Sequence, residues 1–325
     1  MEWKTRVTEL LGCKYPIMQG AMAGLGNWKF AAAVANAGGH GILTASVSRT
    51  PEKLREDIKR CREASAGAPG TFGVNLTLAI CPRIEEMLEV CIEERVHVET
   101  AAYKPDSLAP RIKQGAVTWI HKTARVKDAV HAEKLGADAV IVVGLEGIGF
   151  KNPEQLPTLT TTIWAKREIK VPFIAAGGIG DARGFLGALG MGADGVMMGT
   201  AFMATKECPL KASAKEAMIQ ARPDNAQLRH RVLDTPDAEA YAEVMKMRDQ
   251  LPLEKWLPML ERVNLKDPDW RKTPRSVEPS ARELGTVVSL AVASIDRVST
   301  VKELIDGIIQ GAEDLLDSFP FLKTR

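Results

Sequence analysis

The chain has 325 residues, 45% of them hydrophobic and 26% charged, enough for one large α/β domain with a sizeable core. With 43 basic against 41 acidic residues, the formal net charge of +2 gives no electrostatic case for nucleic acid or an anionic membrane. No apolar run approaches the roughly 18 residues of a membrane span, the N-terminus lacks a cleavable apolar signal, and five cysteines with no C-x-x-C pair argue against disulfides, zinc or iron–sulfur. Reduced thiols and a cytoplasmic protein are the expectation.

In chain order, residues 15–20 (YPIMQG) read as a first strand ending at Gln19 and Gly20. A helix from Asn27 to Ala37 follows, with Asn27 as cap and Gly38 and Gly39 as stop. GILTAS, from Gly41, is the second strand. Thr50 and Pro51 then open a charged amphipathic helix to Ala64. Phe72–Leu76 is the third strand, Cys81–Arg95 a helix, Val96–Thr100 the fourth strand, and residues 107–114 a helix. Ala116–His121 is the fifth strand, with Lys122 at its carboxyl end. Val126–Leu135 is a helix, and Ala139–Val143 a strand apolar on both faces.

The run from Val171 to Lys206 is the most informative. Strands Pro172–Ala176 and Gly195–Met198 flank a helix, and each ends in a glycine turn, Gly177 and Gly178 in one case, Gly199 and Thr200 in the other. Eight strands alternating with helices predict a parallel sheet closed as a (β/α)8 TIM barrel, with an open doubly wound sheet as the alternative. In a barrel, the turns after strands seven and eight form the usual phosphate site, because glycine admits an anion to backbone N–H groups. The run therefore points to a phosphorylated cofactor or substrate, and otherwise to two plain barrel turns.

After Cys208 no strong strand follows. Residues 209–264 read as helical, 265–279 as a polar loop, and 284–296 and 301–317 as closing helices. This divides the chain into a barrel core, 1–207, and a helical appendage with closing helices, 208–325.

Chemistry in a barrel sits at strand carboxyl ends. That places Gln19, Met22, Asn75, Glu99, His121, Lys122 and Glu146 among the candidates. Lys122 is positioned either to stabilise negative charge on a bound ring or as a surface lysine. Asn75 either orients a cofactor or caps a turn. Glu99 and Glu146 either move protons or pair with a lysine or a helix end. His121 precedes Lys122, so it points to the other side of its strand, and His40 lies at the amino-terminal, stability face. No histidine pair has metal spacing.

The segments PIMQGAMAG (16–24), AGGHGIL (37–43), FGVNLTL (72–78), VETA (98–101), HKTARVKDAVHAEKLGADAV (121–140), AAGGIGDARG (175–184) and GADGVMMGTAFMATKECP (192–209) resemble the nitronate monooxygenase family, once called 2-nitropropane dioxygenases. That family includes NADH:quinone reductases, the subgroup this chain resembles most, and flavin-dependent enoyl-acyl carrier protein reductases. The resemblance implies non-covalent FMN in a barrel. Carried over, Gln19, Gly20 and Met22 meet the flavin, Asn75 and Lys122 contact its ring, and Gly177, Gly178, Gly199 and Thr200 hold its phosphate. One departure falls in GLEGIGF (144–150), where Phe150 stands in place of a family histidine that assists at the substrate.

The implied activity is NADH- or NADPH-driven two-electron reduction of an electron-poor small molecule, a quinone or an enone. The alternatives are oxidation of alkyl nitronates with O2, a weakly active flavin-binding partner protein, and a flavin-free barrel acting on a sugar phosphate.

Overall fold

The computed structural model describes residues 1–22, 24–78, 81–102, 104–148, 154–226, 228, 238–247, 250–251, 253–264, 269–271 and 288–318. Eight parallel strands close in sequential order: β1 (Ile17–Gln19), β2 (His40–Thr44), β3 (Thr71–Thr77), β4 (His97–Ala101), β5 (Trp119–Thr123), β6 (Ala139–Val143), β7 (Phe173–Ala176) and β8 (Gly195–Met198). The ring closes through β1 on β8, with Met18 beside Met197. The open-sheet alternative is excluded.

Helices wrap the ring for local reasons. The Asn27 side chain accepts from the Phe30 N–H and starts α2 (Trp28–Asn36), whose Phe30, Ala31, Val34 and Ala35 are buried. Gly41 lets that helix lie against β2, because a Cβ there would strike the Ala31 carbonyl. A short helix α3 (Ala45–Ser48) stands where the second strand was expected to continue. Thr50 caps α4 (Pro51–Ala64) with Pro51 at its first turn, and Leu54, Ile58 and Cys61 face inward at helical spacing.

Side chains alternate across each strand. Met18, Ile42, Ile120, Ile141, Ile174 and Met197 fill the ring, while their neighbours pack outward on the helices. A six-residue helix α1 (Arg6–Leu11), absent from the sequence reading, plugs the amino-terminal end with Val7 and Leu11. It is held by a reciprocal capping box between Thr5 and Thr8 and by left-handed Gly12.

Beyond β8 lie a short helix α10 (Thr200–Met203) and helices Ala212–Gln220, Ala238–Lys246 and Leu253–Asn264. The last two form a satellite core around Val244, Trp256, Leu260, Val263 and Trp270. The stretch expected as a helix over 284–296 is a 3-10 helix over Leu290–Ser294, with 284–287 outside the described residues. Helix Val301–Ser318 returns to the barrel, packing on α2 and on α9 (Ala182–Gly190). Among the described residues, no helix is long and apolar enough to cross a membrane.

Three buried or nearly buried histidines serve the frame. His40 bonds Thr71 Oγ1 (2.9 Å), whose own proton goes to the Leu11 carbonyl, and its ring stacks on His97 at 5.3 Å. His121 packs outward from β5, its Nδ1 2.8 Å from Thr100 Oγ1. Burial pushes His121 down to about 4, and lowers His40 and His97 in the same direction. The unfolded chain, with histidine near 6.5, therefore takes up protons first as pH falls, so stability declines from about pH 6.5 toward 4. His121 alone is expected to contribute about 2 kcal/mol of loss between pH 7 and 5. Urea unfolding at the two pH values checks this, with a shallower decline expected for His121→Gln. Equal stability at both would contradict the assignment.

Candidate active site

At the carboxyl end of the ring, four adjacent strands present one polar row. Thr44, Asn75 and Glu99 are register partners across β2, β3 and β4, and alternation turns all three inward. Lys122 lies two residues beyond Ile120, the register partner of Glu99, on the same inner face of β5. Its ammonium is 2.8 Å from Glu99 Oε1. Asn75 Nδ2 donates to that same oxygen at 2.9 Å, and Thr77 Oγ1 donates to Asn75 Oδ1 at 2.7 Å. Glu99 and Asn75 are fully buried and Lys122 is 5% exposed. Lys122 thus lies within β5 rather than past the end of a strand over 116–121, and it is no surface lysine. Among the described residues, the buried Thr44 Oγ1, Ser46 Oγ and Glu99 Oε2 have no hydrogen-bond partner. Unpaired buried polar groups of this kind are uncommon and costly.

The opposite wall is built from glycine turns. Gly20 N–H donates to the Met198 carbonyl at 2.7 Å, and a Cβ on Gly20 would lie 3.1 Å from Gly199 Cα. The turns after β1 and β8 therefore touch. Gly177 and Gly178 both have positive φ, +108° and +71°, which glycine adopts without strain. A Cβ on Gly178 would come within 2.9 Å of Glu146 Cβ, whereas a Cβ on Gly199 would meet nothing within 4 Å. Gly199 is the cap of α10, whose first backbone N–H groups lack intrahelical partners.

The two carboxylates at the mouth take the pairing roles. Glu99 holds Lys122, and Glu146 accepts from the Thr158 N–H and hydroxyl, both at 2.7 Å, at the start of α8 (Thr158–Glu168). The start of α8 is thereby occupied by a carboxylate.

Two of the expected contact residues spend their side chains on the frame. Gln19 accepts from the Ile42 N–H at 3.1 Å and its amide donates to the Ile42 carbonyl at 3.4 Å, bridging β1 to β2 beyond their single register pair. The Thr200 hydroxyl meets Ser289 Oγ at 2.8 Å and accepts the Ser289 N–H at 3.0 Å. Met22 is buried in the turn after β1, where its carbonyl accepts from Leu25 and Gly26. Phe150 lies outside the described residues.

Ser289 is the residue that sequence reasoning missed. It belongs to a segment that folds back over the mouth: the Leu290 N–H donates to the Glu146 carbonyl at 3.1 Å, and Ser294 Oγ lies against Gly180. Its link to Thr200 spans 89 positions and leaves no local pattern.

The five cysteines are free, and all but the partly exposed Cys81 are buried. Burial raises Cys13, Cys61 and Cys81 to about 12 and Cys91 and Cys208 in the same direction, so none offers a thiolate nucleophile near neutrality.

The family model for nitronate monooxygenase matches residues 4–87 and 79–311. The (3aS,4S,5R,7aS)-5-hydroxy-7a-methyl-1-oxo-octahydro-1H-indene-4-carboxyl-CoA dehydrogenase of Rhodococcus jostii (strain RHA1) is 30% identical over 98% of this chain and 99% of its own length. A probable nitronate monooxygenase of Staphylococcus aureus (strain JH9) is 29% identical over 67% of this chain and 73% of its own length. Among solved structures, FabK of Thermotoga maritima is 30% identical, superposes with a TM-score of 0.75, and covers 98% of each chain. With a matching family model over most of its length and a relative aligned end to end, this chain belongs to the nitronate monooxygenase family of oxidoreductases.

Proposed function

We propose that the protein is an FMN-dependent oxidoreductase of the cytoplasm that takes electrons from NADH or NADPH and delivers two of them to an electron-poor small molecule, a quinone or a conjugated enone. The family is flavin-dependent in general terms. The observation that carries the reading is the pairing of two walls above one apolar floor. On one side stands the buried Lys122, Glu99 and Asn75 row, and on the other the β7 and β8 glycine turns with open space at Gly199. A group with a polar ring edge and a phosphate tail matches both walls. The unpartnered Thr44 and Ser46 hydroxyls add hydrogen-bonding capacity on the ring side.

In this reading the backbone of Gly177, Gly178, Gly199 and Thr200 holds the phosphate, with the Thr200 hydroxyl acting indirectly through its tie to Ser289. Gly20 and Met22 form the turn that borders the ring. Gln19 supports that turn by fastening β1 to β2. Asn75 and Lys122 face the ring, Lys122 stabilising the negative charge that reduction places on the pyrimidine edge. Bound flavin supplies the hydride and single-electron chemistry. Phe150 stands where family members carry a histidine, and a phenylalanine side chain neither takes nor gives a proton, so proton abstraction from a neutral substrate has no base at that position.

A second reading, oxidation of alkyl nitronates with O2, is favoured by the name of the matching family. A nitronate is already an anion and needs no base, so Phe150 does not count against it. Anaerobic titration separates the two. We expect NADH or NADPH to bleach the flavin band stoichiometrically, with the electrons recovered on adding a quinone. Bleaching by an alkyl nitronate but by neither nicotinamide would overturn the first reading in favour of the second. A yellow protein that no donor reduces would overturn both and leave a flavin-binding partner protein.

A further inference from the structure

The Lys122 charge does not face the mouth alone. Glu99 Oε1 lies 2.8 Å from its ammonium and also receives the Asn75 amide at 2.9 Å, so one carboxylate oxygen fixes the two side chains assigned to the flavin ring. The three groups come from adjacent strands, β3, β4 and β5, and none can rotate away without stranding a buried partner. A buried cation is costly without a counter-charge, and Glu99 supplies one that also offsets the lysine's field at the mouth. The structure therefore carries a device that limits the lysine's field while fixing its place.

We propose that Glu99 is a positioning residue that sets the electron affinity of the bound flavin, by fixing Lys122 and Asn75 and offsetting the lysine's charge. This rests on the FMN reading above. The pair brings no net charge to the ring, and its polarity directs the positive end where Lys122 points. Removing the carboxylate takes away the Glu99 offset and makes the field at the ring more positive. Removing the lysine makes it more negative. The two single changes act in opposite directions, and the double change restores electrical balance.

Sulfite reports this directly, because its addition to flavin leaves negative charge on the pyrimidine edge, and its Kd is read from the visible band without any substrate. The measurement uses the FMN-loaded protein, with all variants compared at one pH. Glu99→Gln is expected to bind sulfite at least about tenfold more tightly than the unaltered protein, and Lys122→Met at least about tenfold more weakly. The double variant E99Q/K122M is expected within about threefold of the unaltered protein. Flavin midpoint potentials are expected to rise in the first, fall in the second and return in the third. Sulfite affinity in Glu99→Gln within twofold of the unaltered protein, or shifted the same way as in Lys122→Met, overturns the proposal. Should Glu99→Gln fail to fold, the double variant decides, since it leaves no unpaired buried charge: sulfite binding like that of Lys122→Met overturns the proposal. A protein that takes up no FMN at all refutes the cofactor reading instead, and is seen before sulfite is added.

Discussion

Gly199→Asp is expected to give a folded protein that holds FMN at least about 100-fold more weakly and purifies nearly colourless. The backbone at Gly199, φ −101° and ψ −69°, makes no demand for glycine, and a Cβ there meets nothing within 4 Å. An aspartate there puts a carboxylate into the open space beside the first N–H groups of α10. Those are the donors assigned to the phosphate. The substitution thus fills the space beside them and adds a like charge next to the anion. Thermal unfolding of the cofactor-free protein is expected to be unchanged or slightly raised, which separates loss of the ligand from loss of the fold. Full flavin content in Gly199→Asp would move the phosphate elsewhere. Gly178→Val is the poorer test: at φ +71°, with Glu146 Cβ 2.9 Å from the new Cβ, it strains the protein whether or not an anion binds.

Lys122→Met is expected to slow flavin reduction by NADH or NADPH about 100-fold or more, the loss typical when a preorganised donor to developing negative charge is removed. It is also expected to cost about 3–5 kcal/mol of stability, because the buried Glu99 carboxylate loses its ion-pair partner. Most of the stability is expected to return in the double variant E99Q/K122M, which leaves no buried carboxylate without its partner. Stopped-flow reduction and urea unfolding measure the two effects. Unchanged reduction by Lys122→Met would remove the lysine from the ring contact, and unchanged stability would mean that the carboxylate finds another partner.

The barrel was legible because its signals are local. Asn27, Thr50 with Pro51, and the glycine pairs mark helix starts and strand ends within a few residues, and the all-apolar β6 announces burial on both faces. What escaped was short or distant. Helix α1 has six residues, too few for a periodic pattern, and its reason to exist is the open end of the ring. The second strand gives way early to α3, since nothing in Ala45 and Ser46 distinguishes a strand from one helical turn.

For the candidate site, the positions at strand carboxyl ends were readable, but their partners were not. Glu99 and Lys122 stand 23 positions apart, and only the stagger of β4 against β5 brings them together. Glu146 bonding to the start of α8 and Ser289 bonding to Thr200 depend on how loops return to the mouth. Gln19 illustrates the converse. Its place beside a glycine turn suggests ligand contact, while its amide is taken by the Ile42 backbone at the narrow β1–β2 junction.

The central claim is that the β7 and β8 turns grip the phosphate of FMN while the Lys122 row faces its ring. Release of the cofactor from the purified protein by acid, followed by its identification by mass and fluorescence, tests it most directly. One FMN per chain is expected in the unaltered protein and almost none in Gly199→Asp. A colourless protein that cannot be reconstituted, or a bound flavin lacking the phosphate, would contradict it.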